Sequence, residues 1–317
     1  MPPSSAARSR ILFPLLVTVF CCCLAQAQSP HFTIPADPFA DPKHDPLNPL
    51  RYIASNALTA ISFSLVLLVG LIESWLVYKD GGKYMLSLVI GCYTFALGLA
   101  FRFGLHVQPR SHGIYIAQYL FVVLSPCAFI ASAYVLLGRL ARYLDRPEYL
   151  AVSPQRITLV FVCSDITTFL VQATGGAISA SADGGHMAEV GSRIFLGGIA
   201  AQLLSFVVFS IIYGIFLWRV YSRSQNLWYI DQHKAWYDDW RALAGALCIC
   251  CVGILIRSVY RTVELGEGFL GHLATNEGFF YGLDTLPLFI AIAIFIPFWP
   301  GRFISSTPIT QRSIEKP

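Results

Sequence analysis

A chain of 317 residues that is 56% hydrophobic and 13% charged, with a mean hydropathy of +0.61, excludes a water-soluble globular fold. Its net charge of +4 is small and dispersed, which excludes a nucleic-acid partner bound through a basic surface. The expected fold class is all-α: a polytopic membrane protein built as a seven-transmembrane-helix bundle.

Residues 1–27 have the pattern of a signal peptide: Arg8 and Arg10, the apolar run ILFPLLVTVFCCCLA, and a small-x-small site at Ala25-Gln26-Ala27. Cleavage after Ala27 is expected, the alternative being an uncleaved anchor. Residues 28–53 form a Pro- and Asp-rich segment too poor in apolar residues for a core, and are expected to lie outside the cell. Seven apolar runs of about 20 residues or more follow, at 54–78, 84–106, 114–137, 156–178, 194–218, 241–263 and 277–299. The domain so formed spans 54–300, and 301–317 is a short polar tail.

Basic residues set the direction. Lys79 and Lys83 follow the first run, Arg139, Arg142, Arg146 and Arg156 the third, Arg219, Arg223 and Lys234 the fifth, and Arg302, Arg312 and Lys316 the seventh. The alternate loops carry only Arg110 and Arg193, so the amino terminus is expected outside and the carboxyl terminus in the cytoplasm. Three of the nine cysteines fall in the signal segment, and the other six (Cys92, Cys127, Cys163, Cys248, Cys250, Cys251) lie in apolar runs, so no disulfide framework is expected.

The chemistry of interest is the set of charges inside these runs. An unpaired charge at the bilayer centre costs about 2.5–3.5 kcal/mol even on a lenient insertion scale, so such residues are partnered and point to function. Arg257, Arg261 and Glu264 are spaced i, i+4, i+7 and share one face of the sixth run; Glu277, Tyr281 and Asp284 repeat that spacing on the seventh. A hairpin through GEGFLGHLAT is expected to set Arg261 near Glu277 and Arg257 near Asp284. Arg102, Gln118, Gln172 and Gln202 fall in the same half of the membrane, with Asp165 nearer the midplane, so a polar cavity in the outer half is expected. For Gln118 and Gln202 the competing reading is that they hold helices together. Glu73, near the inner end of the first run, is expected to reach water and is left out of the set.

Other chemistries find little footing. A retinal Schiff base needs a lysine in a late run, yet Lys43, Lys79, Lys83, Lys234 and Lys316 all fall in loops or tails. His106, His112, His186 and His272 belong to separate loops, so neither a metal nor another cofactor is expected. Ser132, Ser164 and Ser205 have no histidine at matching depth, which leaves no catalytic residue to name.

At these same residues the chain resembles the fungal lipid-translocating exporter family, seven-span proteins linked to aminocholesterol resistance and to release of sphingoid long-chain bases. The resemblance covers about 54–302 and is carried by Gln118, Pro126, Tyr134 and Gly138-Arg139, by Phe161, Asp165, Gln172 and Gly175-Gly176, and by Gly198, Gln202, Phe206 and Phe209. It is most specific at Arg257, Tyr260, Arg261, Glu264, Gly268, Gly271, Glu277, Tyr281 and Asp284, closed by Pro300-Gly301. Two positions depart from the pattern. Phe95 and Leu99 stand where a glutamate and a tyrosine usually precede the arginine of the second span, and Trp299 stands where a histidine usually precedes Pro300.

The resemblance implies a plasma-membrane protein, not an enzyme, that moves amphipathic lipids such as sphingoid bases or sterol-like compounds and takes part in stress resistance. Membrane lipids are then its partners, with Asp284, Glu277 and Asp165 meeting an amine while Arg102, Arg257 and Arg261 hold those carboxylates or bind phosphate. A seven-span receptor or stress sensor and an intramembrane lipid hydrolase remain the alternatives.

Overall fold

The computed structural model describes residues 37–43, 45, 47–150, 153–181, 186–229, 239–268 and 271–304. The expected signal segment 1–27 and the tail beyond 304 lie outside these residues. Every regular element among the described residues is helical. The long helices are α1 (Asn56–Lys79), α2 (Leu86–Val107), α3 (His112–Tyr143), α4 (Pro154–Ser181), α5 (His186–Arg223) and α6 (Trp240–Glu267). These six are long and apolar enough to cross a membrane.

The run expected at 277–299 is helical but not a regular helix. Asn276 caps a turn at Glu277–Phe279, a π-helix covers Phe280–Thr285, and α7 (Leu286–Ala293) follows, with turns from 294 to 298. Pro287 explains the widened turn. It donates no N–H to the Leu283 carbonyl and its ring crowds that oxygen, so the backbone opens just before it.

Caps set the remaining boundaries. The Asp239 carboxylate accepts from the Arg241 backbone N–H at 3.0 Å to start α6, and Gly268 ends it with φ 82°. The end of the bundle where α1 begins is called the top. At the bottom the Trp299 indole N–H donates to the Gly81 carbonyl at 3.0 Å and Arg302 Nε donates to Asp80 at 2.7 Å, so the last turns tie back to the α1–α2 corner.

The helices pack in chain order, α2 on α3 and α4 on α5 most extensively. Between α4 and α5 the backbones nearly touch. A Cβ on Gly191 would lie 2.4 Å from the Ser179 nitrogen, and one on Gly175 would lie 2.4 Å from the Phe195 nitrogen, so only glycine fits at either place. The neighbouring Gly176 and Gly197 were expected to share this role and do not: Gly197 faces open space.

Lower down, Tyr134 of α3 packs against Phe161 of α4 and Phe209 of α5, with ring centroids 5.2 and 4.5 Å apart. Ile61, Leu68, Trp75, Ile90, Leu159, Leu204, Trp218 and Val252 are each more than half exposed on the outside of the bundle, the surface that lipid covers. Glu73 departs from expectation. It is fully buried, with Oε2 accepting from the Cys92 thiol at 3.3 Å and Oε1 unpartnered, because α1 turns that face inward onto α2 instead of toward water.

Candidate functional site

The top of the bundle gathers charges from four elements around Asp284. The π turn places this residue so that its carboxylate is fully buried and bound by two arginines of α6: Arg261 Nε donates to Oδ1 at 2.5 Å and Arg257 Nη1 to Oδ2 at 3.2 Å. Arg261 also donates to Glu264 Oε2 at 3.0 Å, and the Tyr260 hydroxyl reaches Glu264 Oε1 at 3.4 Å.

Arg257 has a further partner that proline creates. Pro126 lies inside α3 and has no N–H, which frees the Val122 carbonyl one turn before it. Arg257 Nη2 donates to that oxygen at 2.6 Å and the Ser125 hydroxyl at 3.1 Å. The kinked turn of α3 thus supplies an acceptor for a buried arginine. The sequence held the signal, a proline inside an apolar run, and the link to Arg257 came only with the structure.

Arg102 of α2 completes the group. Its Nη2 donates to Glu277 Oε1 at 2.9 Å and to the Tyr52 hydroxyl at 3.1 Å, and its guanidinium sits 4.2 Å from the Phe280 ring centroid. The backbone N–H of Ser55 donates to the same Glu277 oxygen at 2.9 Å, which anchors the segment before α1 over the cluster. Asp45, fully buried, holds Arg110 at 2.8 Å and caps the Leu47 nitrogen at 3.0 Å, so residues 45–55 form an ordered strap. Burial raises the Tyr52 phenol above its ordinary pKa and keeps it neutral at physiological pH.

The expected pairing of Arg261 with Glu277 is therefore corrected: Glu277 belongs to Arg102, and Arg261 shares Asp284 with Arg257. The π turn is the cause. An extra residue per turn rotates Glu277 by about 100° relative to Asp284, away from α6 and toward α2.

Of the eleven residues expected in one cavity, Arg102, Gln118, Arg257, Arg261, Glu264, Glu277, Tyr281 and Asp284 come together at the top. Tyr281 bridges to α1 through a 2.9 Å contact between its hydroxyl and that of Thr59. Asp165, Gln172 and Gln202 lie elsewhere, on the α4–α5 side. Gln172 Nε2 donates to Gln202 Oε1 at 2.8 Å and Gln202 Nε2 to Cys127 Sγ at 3.3 Å, an arrangement that ties α3, α4 and α5 together.

A pocket with a cavity volume of about 40 Å³ opens onto the cluster, lined by Tyr52, Arg102, Tyr115, Gln118, Tyr119, Arg261, Glu264 and Phe280, with Pro49 and Leu50 of the strap over it. That volume holds little more than a water or two. Its chemistry is one of surplus donors. Each carboxylate already holds an arginine, while Arg102 Nε, Arg261 Nη2 and the Tyr119 hydroxyl have no partner, and Gln118 Oε1 is the one unpartnered amide oxygen on the wall. The pocket can take a hydroxyl, carboxylate or phosphate oxygen. It offers no unshared carboxylate for an amine at Asp284 or Glu277. Tyr52, Tyr115, Tyr119 and the Val122 carbonyl were missed from the sequence, because tyrosines in or beside apolar runs carry no distinguishing pattern.

Comparison with known proteins fits this arrangement. Residues 88–307 match the family described as RTA1 like protein. Protein RTA1 of Saccharomyces cerevisiae is 32% identical over 235 residues, 74% of this chain and 70% of that protein. The Sphingoid long-chain base transporter RSB1 of the same yeast is 27% identical over 268 residues, covering 74% of this chain and 70% of its own length. Protoporphyrin uptake protein 1, also from that yeast, is 28% identical over 205 residues, 65% of each chain. No solved structure matches. With the matched region running from α2 through the Asp284 cluster to the last turn, the chain belongs to the RTA1-like family of fungal lipid-translocating membrane proteins.

Proposed function

We propose that this protein carries amphipathic lipids across the membrane, with the head group passing the Arg102–Asp284 cluster and the apolar chain remaining in lipid. The observation that carries the reading is the meeting of eight polar side chains, three of them buried arginines, at one end of an otherwise apolar bundle. Apolar packing there would be at least as stable, so these charges are kept for what they bind. The relatives named as transporters of a sphingoid long-chain base and of protoporphyrin support a transport role over a catalytic one.

In this reading the helical segment 277–298 is the seventh crossing. The top faces outside and the plasma membrane is the site of action, consistent with the positive loops at the bottom. The small closed pocket is the resting state. Head-group entry displaces Pro49, Leu50 and Tyr52, and the free donors of Arg102 and Arg261 then meet the hydroxyl or phosphate oxygens of the lipid.

The test is transbilayer movement of a fluorescent sphingoid base in liposomes holding the purified protein. Acceleration of at least about tenfold over protein-free liposomes is expected, which corresponds to lowering the barrier by about 1.4 kcal/mol. Equal rates in the two preparations would remove the transport reading and leave a receptor or sensor.

A further inference from the structure

A second polar site lies halfway down the bundle, between α3 and α4, and is separate from the Asp284 cluster. Asp165 is 4% exposed, yet neither of its carboxylate oxygens has a hydrogen-bond partner among the described residues. The Tyr134 hydroxyl faces it from α3, also without a hydrogen bond. The nearby Arg257 is committed to Asp284 and the Val122 carbonyl, and Gln172 gives its amide to Gln202. The carboxylate borders a cavity of about 190 Å³ whose other walls are Leu124, Cys127 and Ala131 on α3 and Val162, Ile166 and Phe169 on α4. Ile166, 54% exposed, forms the rim toward lipid.

A buried carboxylate with two open oxygens in apolar walls calls for a cation. Divalent ions are excluded by the donor set: calcium takes six to eight oxygens and magnesium a near-octahedral shell, and one carboxylate with one phenol supplies neither. An anion would be repelled, and a neutral apolar molecule would leave the carboxylate unpaired. The cavity has about six times the roughly 30 Å³ share of one water, enough for an ammonium group and the first methylenes of a chain.

We propose that this lateral pocket binds the ammonium group of a single-chain amphiphilic amine, with the Asp165 carboxylate as its ion-pair partner and the alkyl chain leaving past Ile166 into lipid. Within the transport reading, on which its role in carriage rests, this divides the recognition. The top pocket provides donors for head-group oxygens, and Asp165 provides the acceptor for the amine.

Binding of radiolabelled dodecylamine to the full-length protein in phosphatidylcholine nanodiscs tests the assignment, with empty nanodiscs as blank, dodecanol as the uncharged probe and ethylamine as the chainless one. The wild type is expected to bind dodecylamine about tenfold more tightly than dodecanol, and to bind ethylamine weakly. Asp165→Asn is expected to bring dodecylamine and dodecanol within about twofold of each other, while Asp165→Glu keeps the preference. Ala131→Phe, which fills the cavity and leaves the carboxylate in place, is expected to weaken dodecylamine binding as well. Asparagine is isosteric and removes an unpaired buried charge, so the Asn variant is expected to fold. A preference that survives Asp165→Asn, wild-type binding by Ala131→Phe, or ethylamine binding as tight as dodecylamine would overturn the proposal. A wild type that binds the amine and moves no lipid overturns only the transport reading. One that moves lipid while Asp165→Asn keeps its amine preference overturns only this site.

Discussion

Asp284→Ala is expected to be the most damaging single substitution in the protein, lowering stability by about 3–5 kcal/mol, the usual cost of removing one partner of a buried ion pair. The carboxylate is fully buried and holds both Arg257 and Arg261, so its loss strands two like charges beside each other with only Glu264 and a backbone carbonyl to share. Titration with a denaturing detergent, followed by the helical signal of the purified protein, measures the loss. The pair Asp284→Asn with Arg257→Gln restores charge balance, because Arg261 keeps Glu264 and Arg102 keeps Glu277. The double variant is therefore expected to be more stable than Asp284→Asn alone. If it is less stable, the damage comes from lost packing and not from stranded charge.

Gly191→Leu is expected to be the second most damaging change, at about 3 kcal/mol, the upper end of the cost of overpacking. The obstacle is backbone. A Cβ at this position would lie 2.4 Å from the Ser179 nitrogen and 2.8 Å from the Gly175 carbonyl oxygen, and no rotamer change relieves that. Helices α4 and α5 would have to separate, which also breaks the Gln172–Gln202 bond farther along the same contact. Gly197→Leu is the matched control. Position 197 is on the same helix but faces open space at the lipid surface, so its effect is expected within about 0.5 kcal/mol. The same detergent titration applied to both variants checks the contrast, and equal losses would mean that helix propensity at glycine, not the α4–α5 contact, governs stability.

The helical bundle was legible in the sequence because apolar runs of membrane length need no tertiary information to recognise. The first six runs correspond to α1–α6. The last was legible as an apolar run, while its interior was not, since the opening of the backbone before Pro287 changes the helical phase that spacing arguments assume to be constant.

That one turn accounts for the part of the site that was read incorrectly. A regular period places Glu277 and Asp284 on a single face toward α6, and the π turn sends Glu277 to Arg102 instead. The residues that meet at the top were found because an arginine inside an apolar run is conspicuous. The partners that are not charged, Tyr52, Tyr119 and the Val122 carbonyl, have no signature of that kind. Asp165 shares a face with Gln172 by spacing and was grouped with the rest for that reason. Its isolation follows from the tertiary fact that Gln172 turns to Gln202 across the α4–α5 contact.

The central claim, that a lipid head group passes the charge cluster at the top of the bundle, is tested most directly by the rate of sphingoid-base movement in liposomes holding Arg102→Gln beside the wild type. Glutamine preserves much of the side-chain bulk, and Glu277 keeps the Ser55 N–H, so the variant is expected to fold. Removing the guanidinium that lines the pocket and holds Tyr52 is expected to slow movement by about tenfold or more, the effect of losing one charge-assisted contact in the rate-limiting passage. A folded Arg102→Gln variant that moves the lipid as fast as the wild type would contradict the account and place the path elsewhere.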